Sequence, residues 1–224
     1  MAEKTANKVV EQAKAWLGNK EGSAGHKSII DLYNSHKPLA RGYKVKYTDA
    51  WCATFVSAVS IKLGYTDIIP TECSCIKMIE KFKALDSWVE DESVTPEIGW
   101  IPFYDWEDNG KGNNMGSPDH VGIVVKVENG NIHIVEGNFD GSDADHIDGV
   151  ETRVIPINSR YLRGYGVPKY DVSSEITSVN DIVFDLWNRG IITDKALWLD
   201  KLKDDNAAYW LARKCSNYMR RNEK

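Results

Sequence analysis

The chain has 224 residues, 42% hydrophobic and 27% charged, which suits one sizeable globular domain with a smaller one beside it. Its net charge of −5 offers no attraction to a nucleic-acid backbone or an anionic membrane, and no segment reads as membrane-spanning. Glycine-rich phosphate loops and zinc-type cysteine and histidine pairs are absent from the sequence, which argues against nucleotide and structural-zinc chemistry.

In chain order, residues 5–18 place Val9, Val10, Ala13, Trp16 and Leu17 on one helical face, with Gly18 as the stop. This N-terminus reads as an amphipathic helix and lacks the apolar run of a signal peptide. A second helix is predicted from Lys27 to His36, carrying Ile29, Ile30, Leu32 and Tyr33, and Ala40 to Tyr43 reads as a loop. In Trp51-Cys52-Ala53-Thr54-Phe55-Val56-Ser57 a cysteine stands where a third helix begins, its apolar face running through Val59 and Leu63 to Gly64. Ile76, Ile79, Phe82 and Leu85 predict another helix near 72–85.

The pattern then turns to strands. Gly99 to Tyr104 predicts a strand with an edge or bulge at Pro102. A polar loop from Glu107 to Asp119 leads to two strands, 120–127 and 131–136, around the hairpin signal Asn129-Gly130. A further strand takes in Val154, Ile155 and Ile157, and Tyr165 to Val167 complete the sheet. Helices followed by strands indicate an α+β domain.

Lys169 to Thr177 is polar, so the expected division is a domain over 1–170, a linker over 171–176 and a small three-helix domain over 177–224. The tail's first helix runs through Val179, Ile182, Val183 and Leu186 to Gly190. Thr193 caps a second with Leu197, Trp198 and Leu202, and Ala208, Leu211, Ala212, Cys215 and Met219 mark a third. Acidic and basic residues balance from Asp171 onward, so the net charge resides in the part before it.

The four cysteines, Cys52, Cys73, Cys75 and Cys215, form no disulfide framework and read as free thiols. Cys52 draws attention because the unpaired N–H groups and dipole at a helix start favour a thiolate, the nucleophilic form. Among five histidines, His120 opens the apolar strand Asp119-His120-Val121-Gly122-Ile123-Val124-Val125, beside a loop. Glu136 and Asn138, at the far end of the hairpin partner, are placed to orient an imidazole.

Hairpin register tests that constellation. A two-residue Asn129-Gly130 turn puts His120 opposite Phe139, and gathers Val121, Ile123, Val125, Val127, Ile132 and Ile134 on one face. A three-residue loop puts His120 opposite Asn138, with Glu136 on the same face. We expect the second register, or a bulge achieving the same switch. His133 on its apolar strand reads as structural and His146 as a solvated loop residue. Trp100, Tyr104 and Trp106 are read as either groove or core.

The sequences WCATFVS, DHVGIV and EGNFDG, in that order across roughly residues 5–170, resemble the CHAP family of cysteine, histidine-dependent amidohydrolases and peptidases. The resemblance implies a papain-like fold and cleavage of peptidoglycan amide bonds, between muramic acid and L-alanine or within the peptide. By motif position it implies Cys52 as nucleophile, His120 as general base and acid, and Glu136 with Asn138 as orienting or polar partners. Many members of the family carry glutamine just before the cysteine, where this chain has Trp51, so the second oxyanion donor is open. Tyr47 is one candidate, with a packing role as its alternative. Some relatives bind calcium through an aspartate-rich segment before the cysteine, whereas Tyr43 to Asp49 holds a single carboxylate here. No metal and no cofactor are therefore expected.

The leading expectation is a phage or prophage endolysin, made in the bacterial cytoplasm and acting on the wall after lysis or by another export route. Its partner is peptidoglycan, with no nucleic acid and no membrane, and its C-terminal helices serve wall targeting or self-association. A non-catalytic wall-binding module and a thiol amidase acting on a non-wall amide are the alternatives.

Overall fold

The computed structural model describes residues 3–91, 93–107, 116–141, 147–171, 182–183, 186–187 and 191–204. The chain divides into two compact units, Met1–Tyr170 and Asp171–Lys224.

The first unit opens with α1 (Ala6–Ala15), capped by the Thr5 hydroxyl, which accepts the Lys8 N–H. Helix α2 (Ala24–Ser35) starts earlier than its apolar spacing predicts because Ser23 supplies the cap, accepting the His26 N–H. Helices α3 (Cys52–Leu63) and α4 (Cys75–Ala84) follow. Every residue of α3 from Cys52 to Ser60 is buried, the signature of a central helix rather than a surface one. Its two buried serines are satisfied. Ser60 donates to the Ile69 carbonyl at 2.6 Å, and Ser57 donates to the Glu72 carbonyl at 2.6 Å while accepting the Glu72 N–H at 2.8 Å.

Six antiparallel strands come after the helices: β1 (Trp88–Val89), β2 (Ile101–Tyr104), β3 (His120–Glu128), β4 (Asn131–Phe139), β5 (Gly149–Pro156) and β6 (Leu162–Gly166), in the order β1-β6-β2-β3-β4-β5. The α+β class and the helices-then-sheet sequence are as expected, with three differences. The two-residue β1 carries too little pattern to be read. β5 begins at Gly149, well before Val154, and ends at Pro156, short of Ile157; its buried residues are Gly149 and Val150. Pro102 lies within a central strand between β6 and β3 rather than on an edge, and the bulge expected as the other possibility stands beside it, as a register shift at Phe103/Tyr104.

The β3–β4 hairpin resolves the register question with a bulge. Near the turn, Val127 pairs with Ile132 and Glu128 with Asn131, the two-residue register. Between Val124 and Lys126 the register shifts, so Val124 pairs with Ile134 and Gly122 with Glu136. The single shared apolar face of the unbulged hairpin is therefore not formed. Val121, Ile123 and Val125 pack with α1 and α3 in the main core, while Val124, Ile132 and Ile134 join Tyr104, Leu162 and Tyr165 on the opposite face of the sheet.

In the second unit, Ile182, Val183, Leu186, Ile192 and Leu202 form a buried apolar cluster. A helix spans Lys195–Asp204, and its N-terminal acceptor is Asp194 rather than Thr193, taking the Leu197 N–H at 2.9 Å. The predicted third helix of the tail and most of the predicted linker lie outside the described residues.

Candidate active site

Cys52 is the first residue of α3, and Trp51 before it is the non-helical cap residue, with φ −127° and ψ 14°. The Trp51 ring is fully buried against His26, with centroids 4.7 Å apart. Its backbone N–H donates to Asn138 Oδ1 at 2.8 Å, which ties the end of β4 to the start of the cysteine helix. Asn138 adopts φ 59°, at the bulge where the β4–β5 register shifts, and its amide donates in turn to Asp148. The preceding Gly137 allows β4 to pass this close. A Cβ there would sit 2.6 Å from Phe55 Cβ and 2.7 Å from Trp51 Cζ3.

His120, the first residue of β3, pairs with Tyr104, and Glu136 lies opposite Gly122. A Cβ at Gly122 would be 2.8 Å from Glu136 Cγ, so the missing side chain leaves room for the carboxylate to reach along the sheet. Glu136 Oε2 lies 3.0 Å from His120 Nε2. Glu136 is fully buried, and its charge is matched by donors: the Tyr104 hydroxyl at 2.7 Å and Arg153 Nε at 3.0 and 2.9 Å. Nε2 faces Glu136, and the imidazole and the Cys52 thiol each shift the other's protonation.

These contacts set the protonation of the pair. Burial pulls the His120 imidazole down, but the hydrogen bonds and charges of Cys52 and Glu136 outweigh it, and its pKa is pushed up to about 10. The Cys52 thiol is held well below the ordinary thiol range by the neighbouring Cys75 thiol, against the opposing effect of burial, and by His120 and the Ala53 N–H. Cys75 lies 3.7 Å away, sulfur to sulfur, and is pushed well above that range by Cys52 and by burial. A thiolate–imidazolium pair is the arrangement these groups favour.

A cavity of about 340 Å³ opens over His120 and Asn138, walled by Trp106, Phe139, Asp140, Asp148 and Arg153. Trp106 stacks on Tyr104 at 4.7 Å, and the Arg153 guanidinium lies 3.8 Å from the Phe139 ring centroid and 5.0 Å from that of Trp106. His120 retains 8% of its surface and Cys52 6%, and of the two only His120 lines the cavity.

Of the four residues singled out in the sequence, Cys52, His120 and Glu136 form one electrostatic chain, in which His120 lies 3.0 Å from Glu136 and favours the thiolate of Cys52. Asn138 stands apart from that chain: its hydrogen bonds go to Trp51 and Asp148, so it fixes the helix start rather than the ring. The Tyr47 hydroxyl donates to Asp31 at 2.8 Å on the surface, and Asp49 accepts the Tyr43 hydroxyl and the Lys46 N–H. His133 lies 3.3 Å from Glu128, the buried His26 accepts the Gly22 N–H, and His146 is outside the described residues. Trp100 packs on the outer sheet face, whereas Trp106 lines the cavity. Arg153 and Cys75 escaped the sequence reading. The one signal for Arg153 is a cation between Thr152 and Val154 on a strand, and Cys75 reads in the sequence only as one of four free thiols.

Residues 42–138 match the family model of the CHAP domain. This span contains Cys52, His120, Glu136 and Asn138, and it lies inside the first unit. The domain indicates a hydrolase of the cysteine/histidine amidohydrolase and peptidase group, with peptidoglycan as the substrate it implies. No curated protein and no solved structure gives a significant match. Among the described residues, no helix is long and apolar enough to cross a membrane.

Proposed function

We propose that this chain is a peptidoglycan hydrolase of the endolysin type, cutting an amide bond by nucleophilic attack from Cys52. The observation that carries the reading is His120 in the cavity wall, 3.0 Å from the buried Glu136 and coupled to the Cys52 thiol, whose proton it helps to displace. The Cys52 thiolate attacks the amide carbonyl, and the oxyanion forms beside the unpaired N–H groups of the first turn of α3. The Cys52 N–H is the natural donor, and one such donor is worth about 3 kcal/mol. The His120 imidazolium gives its proton to the leaving amine as the C–N bond breaks, leaving a thioester on Cys52. Neutral His120 then takes a proton from water, whose oxygen attacks the thioester and frees the sulfur. Glu136 holds the ring in place and stabilises its charged form.

The bond cut is the muramoyl–L-alanine amide or a peptide bond of the stem, both of which offer the amide carbonyl that the thiolate attacks. In this reading residues 1–170 are catalytic, 171–176 form a linker, and 177–224 form a helical module for wall targeting or self-association. Tethering a weak wall binder to the hydrolase would raise its local concentration on the polymer.

Purified walls incubated with the protein should lose turbidity and gain free amino groups, and mass spectrometry of the released fragments identifies the bond. Cys52→Ala should abolish both signals while still sedimenting with walls. If walls stay intact while Cys52 of the native protein alkylates rapidly, the substrate is a different amide.

A further inference from the structure

Hydrolysis as described uses one thiol, yet the fold buries a second beside it. Cys75 Sγ lies 3.7 Å from Cys52 Sγ, and both side chains are almost enclosed, with 8% and 6% of their surface exposed. Each cysteine opens an α-helix, so each sulfur sits where a helix dipole favours negative charge. The approach is built rather than incidental. Ser57 on α3 grips both backbone groups of Glu72, just before α4. The buried Glu72 carboxylate accepts the Cys73 N–H at 2.8 Å and is paired with Arg41 at 2.9 Å and Lys81 at 3.4 Å. This clamp fixes the start of α4 against the start of α3. Cys73 is turned away toward Arg41, whose Nη2 lies 3.3 Å from its sulfur.

We propose that Cys52 and Cys75 are a peroxide-reactive dithiol, a modification site in which Cys75 resolves the oxidised nucleophile as a disulfide. The Cys52 thiolate attacks one oxygen of hydrogen peroxide and the O–O bond breaks. With one proton taken up, the products are a Cys52 sulfenic acid and water. The Cys75 sulfur then attacks the Cys52 sulfur and displaces the hydroxyl, which leaves as water with the Cys75 proton. Two thiols lose two electrons, and peroxide is reduced to two waters. Closing the bridge requires the sulfurs to move from 3.7 Å to a bonded distance of about 2 Å, within reach of side-chain rotation. The disulfide removes the nucleophile, and a thiol reductant restores it. Without Cys75 the sulfenic acid loses the thiol that the described residues place beside it and proceeds to sulfinic acid, which thiol reductants do not reverse.

The test is to expose the full chain to hydrogen peroxide, block remaining thiols with an alkylating reagent, and digest without reduction. Mass spectrometry should find a Cys52–Cys75 linked peptide, with wall hydrolysis lost in proportion to the linked fraction and regained with dithiothreitol. In Cys75→Ser, measured against its own reduced activity, peroxide should drive Cys52 to sulfinic acid with no recovery. Both thiols left free, Cys52 linked to another cysteine, or recovery of the variant equal to that of the native chain would each overturn the proposal. The linked peptide is detected without any hydrolysis, so this test and that of the wall-hydrolase reading fail separately.

Discussion

At the scale of single residues, the chemistry rests on how Glu136 is charged and held. A buried carboxylate is costly unless its oxygens are matched, and here a phenol, a guanidinium and the imidazole do so. Glu136 can therefore act on His120 as a fixed negative charge. The sign of the pH effect follows. An ordinary imidazole loses its proton near 6.5, whereas that of His120 keeps it until about 10. The imidazolium, and with it the proton for the leaving amine, persists as pH rises to that value and is lost above it. The profile of kcat/KM should be a bell whose limbs belong to the coupled sulfur–imidazole pair. Glu136→Gln removes the negative partner, so its alkaline limb should move to lower pH. An unmoved limb would mean that Glu136 is only a packing group.

At the scale of elements, the site exists where the ends of β3 and β4 meet the first turn of α3. Helix existence was legible because apolar spacing and stop signals agreed, as at Gly64, the left-handed cap of α3, whereas α1 ends at Ala15, three residues before the left-handed Gly18. The register of β3 against β4 was legible only as a choice. Turn chemistry favoured one alignment and the catalytic residues the other, and the bulge at Val124/Lys126 satisfies both. The role of Asn138 was not legible, because its partner at Trp51 is distant in sequence and the contact depends on the bulge that turns it. Cys75 was invisible for a similar reason: its meaning comes from Ser57 and Glu72 docking two helix starts together. The close crossing at Gly137 is directly testable. A methyl group there would overlap Phe55 and Trp51, both fully buried, and overpacking of this kind costs about 1–3 kcal/mol. Gly137→Ala should lower the thermal midpoint, and unchanged stability would show that β4 and α3 are less tightly fitted than described.

At the scale of the whole molecule, a nucleophile at residue 52, an imidazole at 120 and a carboxylate at 136 meet only because the helical half packs beneath the sheet. Each residue alone has an ordinary explanation, and the motif order drew them together in the sequence before any contact was known. The second unit contributes a small apolar cluster whose purpose composition could not reveal. Cys52 and His120 acting as one charged pair is the point on which the proposed chemistry turns. The rate of Cys52 alkylation as a function of pH, compared between the native chain and His120→Ala, measures that pairing without a substrate. The native sulfur should react as a thiolate well below the ordinary thiol value of 9.0, and the inflection should rise markedly in the variant. Identical inflections in the two proteins would contradict the pairing, and with it the proposed mechanism.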